Sequence, residues 1–292
     1  MKFYFSTGLA VLLGAVLVLL IHSQSFSVGN KPKEASAYDR VMATHTLRCG
    51  YFPFSPNLVV DPNTGKKSGI FYELTEEIGR RLNLKIEWAE EVGYGVIAEG
   101  FETGRYDLFC NTVWPIPTRA QQAVFSVPLY YSPVGIFVRD DDVRFDRNYQ
   151  KLNAPDYVMA VRDGDISDSI TKTLLPKAKT VSVPELSGID QPLLEVSTKK
   201  ADAIITEPLH IYEFNKTSPV KLRNITRDEP VKYFPNTYMM GKSEFQLKQM
   251  LDVTIQELIS EGYMDELLDK YVPEEIYPAA LFKVAPPYAL RR

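Results

Sequence analysis

Two hydrophobic periods alternate along this chain: short continuous apolar runs bounded by turn residues, and longer stretches with Leu or Ile on every third or fourth position. A strand is predicted over 46–50, followed by the aromatic loop Tyr51-Phe52-Pro53-Phe54 and a turn over 61–65. Ser68-Gly69 then opens a helix whose Leu74, Ile78 and Leu82 share one face, with Glu77 and Arg81 paired outside and Asn83 ending it. A strand over 84–88, a helix over 94–103 and a strand over 107–110 complete a β-α-β-α-β order, which folds as a parallel, doubly wound unit.

The same alternation restarts after a strand over 134–139, closed by Asp140-Asp141-Asp142, which reads as a solvated turn. Strands over 157–161, 180–183 and 203–206 are separated by helices over 167–175 and 188–196. Pro208 stands at a first helical position, ahead of a helix over 209–215. Tyr238-Met239-Met240 returns the chain to a long amphipathic helix carrying Leu247, Leu251, Ile255 and Leu258. Gly262 breaks it, and Leu267, Leu268 and Tyr271 belong to a last helix. The fold class is therefore α/β, with two mostly parallel sheets.

Composition supports two domains: 292 residues, 45% hydrophobic and 24% charged, hold enough core for both. A net charge of −4 without a Lys/Arg stripe excludes a nucleic-acid partner. At the N-terminus, Lys2 precedes an apolar stretch extending to Ile21, the pattern of an export segment over 1–25. It is either a cleaved signal or an uncleaved anchor, and it is the chain's one expected contact with a membrane. No cysteine lies near it, which excludes a lipoprotein anchor. Residues 26–43 read as a polar tether, and 276–292 as a Pro-rich tail.

Candidate chemistry concentrates at 104–119. A buried strand, Leu108-Phe109-Cys110, leaves through a loop stiffened by Pro115 and Pro117 and delivers one fixed cation, Arg119. In open α/β sheets small ligands bind outside the carboxyl ends of strands, so Arg119 is placed to meet an anion with its planar fork. Glu207 ends another strand at its carboxyl end, and the turn Gly164-Asp165-Ile166-Ser167 opens a helix whose N–H groups attract negative charge. Tyr51, Phe54 and Tyr94 follow strands and are read as cleft lining. Gly93-Tyr94-Gly95 is too far from its strand, and too close to Glu90 and Glu91, for a dinucleotide loop. His22, His45 and His210 form no metal-spaced set, so neither cofactor nor metal is expected.

Three segments together resemble the bacterial extracellular solute-binding proteins of the polar-amino-acid type, family 3. They are Gly69-Ile70-Phe71-Tyr72-Glu73-Leu74; Gly104-Arg105-Tyr106-Asp107-Leu108 with Pro117-Thr118-Arg119 and 125–131; and 200–207. The resemblance implies a two-lobed periplasmic binding protein: lobe one 44–131 plus 237–275, lobe two 134–234, and two extended crossings as hinge. It implies that Arg119 meets a ligand carboxylate, Glu207 an amine, and the Gly164 turn the carboxylate again. Two departures stand out. Trp114 occupies a usual hydroxyl position, with Thr112 as a substitute hydroxyl, and Phe71 occupies a frequent acid position. The ligand is therefore expected to be an aromatic, bulky or unusual organic anion rather than a plain polar amino acid. The family fold sets the strands of Cys49 and Cys110 side by side, leaving a disulfide and two buried thiols both open.

The expectation is an exported, periplasmic protein, without catalytic residues, that hands a small molecule to an ABC-type permease in the inner membrane. An alternative on the same scaffold is a cyclohexadienyl-dehydratase-like enzyme, with Glu207 or Glu73 as general acid. A second alternative is an anchored sensor or accessory subunit.

Overall fold

The structure is a computed structural model that describes residues 35–184, 187–188, 190–273 and 282–283. The export segment 1–25 and most of the tail lie outside the described residues. Among those described, no helix is long and apolar enough to cross a membrane.

The chain enters through helix α1 (Ala37–Thr44), which replaces the end of the expected tether. Ser36 and Asp39 form a reciprocal capping box, and Ala37 and Val41, four apart, are buried against the sheet. Strand β1 (Thr46–Tyr51) and the short pair β2 (Val59–Val60) and β3 (Lys67–Ser68) lead into α2 (Ile70–Leu82). Gly69 precedes that helix at φ 112°, where a Cβ would stand 2.7 Å from the carbonyl oxygens of Pro56 and Asn57, so only glycine fits. Strand β4 (Lys85–Glu91), a 3₁₀ turn at Tyr94–Val96, α3 (Ile97–Glu102) and β5 (Leu108–Val113) complete the first unit. Strands β4, β1 and β5 are mutually parallel, as the alternation predicts.

Strand β5 runs three residues beyond the predicted Cys110, because polar Asn111 and Thr112 are buried with their hydrogen bonds satisfied. Asn111 donates to the Phe52 carbonyl at 2.5 Å and accepts from the Thr112 N–H at 2.7 Å. Cys49 and Cys110 form a disulfide with Cα atoms 5.4 Å apart. Asp107, just before β5, accepts from the Arg48 N–H at 3.0 Å and from the Arg48 guanidinium at 2.9 Å, and also meets Arg40 of α1.

After α4 (Pro117–Ala120) and β6 (Ala123–Phe125), strand β7 (Tyr130–Arg139) carries the chain into the second unit. That unit contains β8 (Val158–Arg162), α5 (Ile166–Leu174), β9 (Lys179–Val183), α6 (Gln191–Ser197), β10 (Ala203–Thr206), α7 (Pro208–Thr217) and β11 (Leu222–Asn224). Strand β12 (Lys232–Gly241) returns, pairing first with β7 and then with β5 and β6. Helices α8 (Phe245–Glu261) and α9 (Tyr263–Tyr271) then cover the first sheet, separated by Gly262 at φ 87°. A last strand, β13 (Phe282–Lys283), pairs with the start of β7. In spatial order the strands run β4-β1-β5-β12-β7-β10-β8-β9, and β7 and β12 are the two that belong to both halves.

Each half has its own core. One gathers Leu47, Ile78, Leu108, Leu251 and Ile255 under α2, α8 and α9. The other gathers Val134, Ile136, Met159 and Ile205. Asp142 departs from the solvated turn predicted for 140–142. It is 7% exposed and takes Arg144 at 2.7 Å and Arg139 at 3.3 Å.

Candidate ligand cleft

The carboxyl ends of β4, β5, β8 and β10 converge on one cavity of about 290 Å³. The first half contributes Phe52, Tyr94, Thr112, Trp114 and Arg119. The second contributes Arg162, the 163–167 turn, Thr206, Glu207 and His210. Strand ends of two α/β units thus face each other, which is where this class of sheet binds ligands.

Arg119 sits on α4, whose Pro117 occupies the first turn. Its Nη1 donates to the Trp114 carbonyl at 3.1 Å, so the loop that carries the guanidinium also orients it. Trp114 is 8% exposed and lies parallel to Phe234 with ring centroids 4.4 Å apart, inside the apolar core of the second half. Its indole Nε1 donates to Asn236 at 3.0 Å. Tyr94 donates to the Thr112 carbonyl at 3.2 Å and packs edge-to-face on Phe52.

Glu207 is 5% exposed and accepts from the Ser132 hydroxyl at 2.9 Å. Burial pushes its carboxyl up to about 7, against the Ser132 bond, and the nearby negative charge of Asp165 pushes the same way. A carboxyl whose folded pKa lies above its unfolded value stabilises fully below the unfolded pKa and loses that contribution as pH rises through the folded one. With an ordinary value of 4.5 and a folded value of about 7, the loss between those pH values is about 3 kcal/mol. Denaturant unfolding at pH 5 and pH 8 is expected to show this loss in the natural protein and to lack it in Glu207→Gln. An equal slope in both proteins would rule it out.

Asp165 caps α5 with its own carboxylate, accepting from the Ser167 N–H at 3.1 Å, and is pinned by Arg162 Nε at 3.1 Å. The helix start at Gly164 therefore presents an acid paired to an arginine. His210 shares a hydrogen bond of 2.8 Å with Thr206 and stands edge-on to Phe54. Burial brings its pKa down to about 4, so it is neutral at pH 7.

Of the residues named from sequence, Arg119, Glu207, Thr112, Trp114, Gly164, Asp165, Ser167 and Tyr94 border the cavity. Tyr51, Phe54 and Phe71 do not. Tyr51 packs on Trp88, Phe54 stands behind His210, and Phe71 is fully buried against Tyr238. Phe71 fills core space because its side chain falls on the α2 face shared with Leu74 and Ile78. Glu73, the second candidate acid, lies outside the cavity, bound by Lys270 at 2.7 Å and by Tyr271. Arg162 and the Ser132–Asn236 pair have no role in the sequence reading, and His210 enters it only as one of three histidines without metal spacing. Arg162 was legible as a cation closing an apolar strand just before Asp163-Gly164.

Two α/β halves joined by two long strands, with the cavity at their facing strand ends, define a type II periplasmic-binding-protein fold. The chain belongs to the bacterial extracellular solute-binding proteins, family 3, whose pattern it matches over residues 47–274. A probable amino-acid ABC transporter-binding protein of Haemophilus influenzae is 23% identical over 233 residues, which are 78% of this chain and 85% of that one. The solved structure of the ancestral amino acid-binding protein AncCDT-1, a precursor of cyclohexadienyl dehydratase, superposes with a TM-score of 0.70. It is 25% identical over 82% of this chain and all of its own. A Streptococcus pneumoniae amino acid ABC transporter substrate-binding protein bound to L-arginine gives 0.66 at 21% identity, covering 80% and 97%.

Proposed function

We propose that this protein captures a small amino acid or related organic anion, one with an aromatic or bulky side chain, between its two halves in the periplasm. It would then deliver that ligand to an ABC-type permease. The carrying observation is one cavity that pairs an oriented guanidinium, Arg119, with a buried carboxyl, Glu207, between the apolar surfaces of Trp114 and Tyr94. A zwitterion satisfies both charged groups, and the rings favour an apolar body. The strands β7 and β12 supply the hinge about which lobes 44–131 plus 237–275 and 134–234 close.

A thermal-shift screen of the L-amino acids, with des-amino and decarboxylated analogues of each, tests this. A ligand at a hundred times its Kd is expected to add about 2.7 kcal/mol of stability. Analogues lacking either charge are expected to add far less. A ligand that stabilises equally without its carboxylate would refute the reading.

One observation favours a second reading. A carboxyl held at about 7 in an apolar cleft is half protonated at neutral pH and is suited to donate a proton, as a dehydratase acting on a cyclohexadienyl acid requires. Incubation with prephenate or arogenate, and detection of an aromatic product absent from Glu207→Gln, separates enzyme from binding protein.

A further inference from the structure

The polar groups between the two halves form a single directed chain. Asn236, fully buried on β12, accepts on Oδ1 from the Trp114 indole at 3.0 Å and from the Thr112 hydroxyl. An indole N–H only donates, so the amide atom facing it is the oxygen, and Nδ2 is turned the other way. Nδ2 donates to the Ser132 hydroxyl oxygen at 2.8 Å. That leaves the Ser132 proton for Glu207 Oε2, 2.9 Å away. Every donor in the chain therefore points toward Glu207. Each bond polarises the next, and negative charge at the end is favoured.

We propose that Asn236 and Ser132 are positioning residues for the ligand's cation, forming a one-way hydrogen-bond chain across both connecting strands that keeps Glu207 able to ionise and accept. This rests on the reading that Glu207 receives an ammonium. The other groups facing Glu207 are Asp165 at the start of α5, Tyr94 after β4 and Tyr130 on β7, with Arg119, Arg162 and its helix neighbour His210 on the cavity wall. None of them is a link between Asn236, Ser132 and Glu207, although Tyr130 also bonds the Thr112 side chain at the head of the chain. The chain also ties the end of the first half's strand β5 to the acid of the second half. Affinity for a cation and the positions of Thr112 and Trp114 are thereby set by the same bonds.

The test is carbon NMR titration of the Glu207 carboxyl in the ligand-free full chain, assigned by its loss in Glu207→Gln. Ser132→Ala removes the final donor and is expected to raise the Glu207 midpoint by about one to two pH units, the worth of one hydrogen bond to a charged group. Asn236→Asp keeps the shape but reverses the middle link, because a carboxylate accepts the Ser132 proton and adds like charge. It is expected to raise the midpoint at least as far. Ser132→Thr retains the hydroxyl and is expected to titrate as the natural protein does. An unmoved midpoint in Ser132→Ala, a lowered one in Asn236→Asp, or a threonine variant that shifts like alanine would each overturn the proposal. The readout needs no ligand, so it stands apart from the ligand screen: a directed chain with no zwitterion bound would fault the functional reading alone.

Discussion

Arg119→Ala is expected to lower affinity for the ligand found in the screen by a factor of roughly thirty to several thousand. That is the range for deleting one partner of a buried, hydrogen-bonded charge pair. The loss has two sources. The ligand carboxylate forfeits a bidentate partner, and it is left in a cavity walled by Trp114, Tyr94 and Val134, where water replaces the guanidinium poorly. Arg119→Lys keeps the charge without the fork and is expected to fall between the two. Because Arg119 is half-buried and anchored to its own loop through the Trp114 carbonyl, the ligand-free melting temperature is expected to change little. Calorimetry at pH 8, where Glu207 is ionised, checks the result. Undiminished affinity would remove Arg119 from the site.

The Cys49→Ala/Cys110→Ala double variant is expected to lose about 4 kcal/mol of stability. The bridge closes a 61-residue separation, and the chain-entropy model gives that amount for a loop of this size. Both sulfurs stand at positions that are 0% exposed, between strands already paired through Cys49 and Leu108. The alanine pair therefore adds a small cavity term to the entropic one. Urea unfolding of the two proteins, compared at equal slope, measures the difference. A loss below about 1 kcal/mol would mean that the unfolded chain is not appreciably restrained by the bridge.

The fold was legible where periodicity was strong. The face shared by Leu74 and Ile78 marks α2, the Gly262 break falls between α8 and α9, and Pro208 opens α7. It was less legible where polar residues do core work. Asn111 and Thr112 hid the end of β5 because the Asn111 side chain satisfies the Phe52 carbonyl and the Thr112 N–H while the Thr112 hydroxyl bonds Asn236, which no alternation pattern records. The short helix α1 was hidden in polar sequence, although its Ser36 and Asp39 cap and its Ala37–Val41 spacing were present. In the cleft, Glu207 just after β10 and Arg119 on the proline-stiffened segment after β5 were readable from position alone. Ser132 and Asn236 were not, because each is an ordinary small polar residue inside a strand, and only the antiparallel approach of β7 and β12 brings them together. Phe71 misled for the converse reason: its identity departs from the family habit, yet its helix face points away from the cavity.

Trp114 has an optical consequence. The chain has only two tryptophans, and they occupy contrasting places. Trp88 lies half-buried on the outer strand β4, bonded to Glu76 at 2.8 Å, while Trp114 is stacked on Phe234 and bonded to Asn236 beside the cavity. In Trp88→Phe, the remaining indole's emission would report the surroundings of the strand crossing itself. Ligand capture could then be followed in stopped flow, in real time, with no label attached.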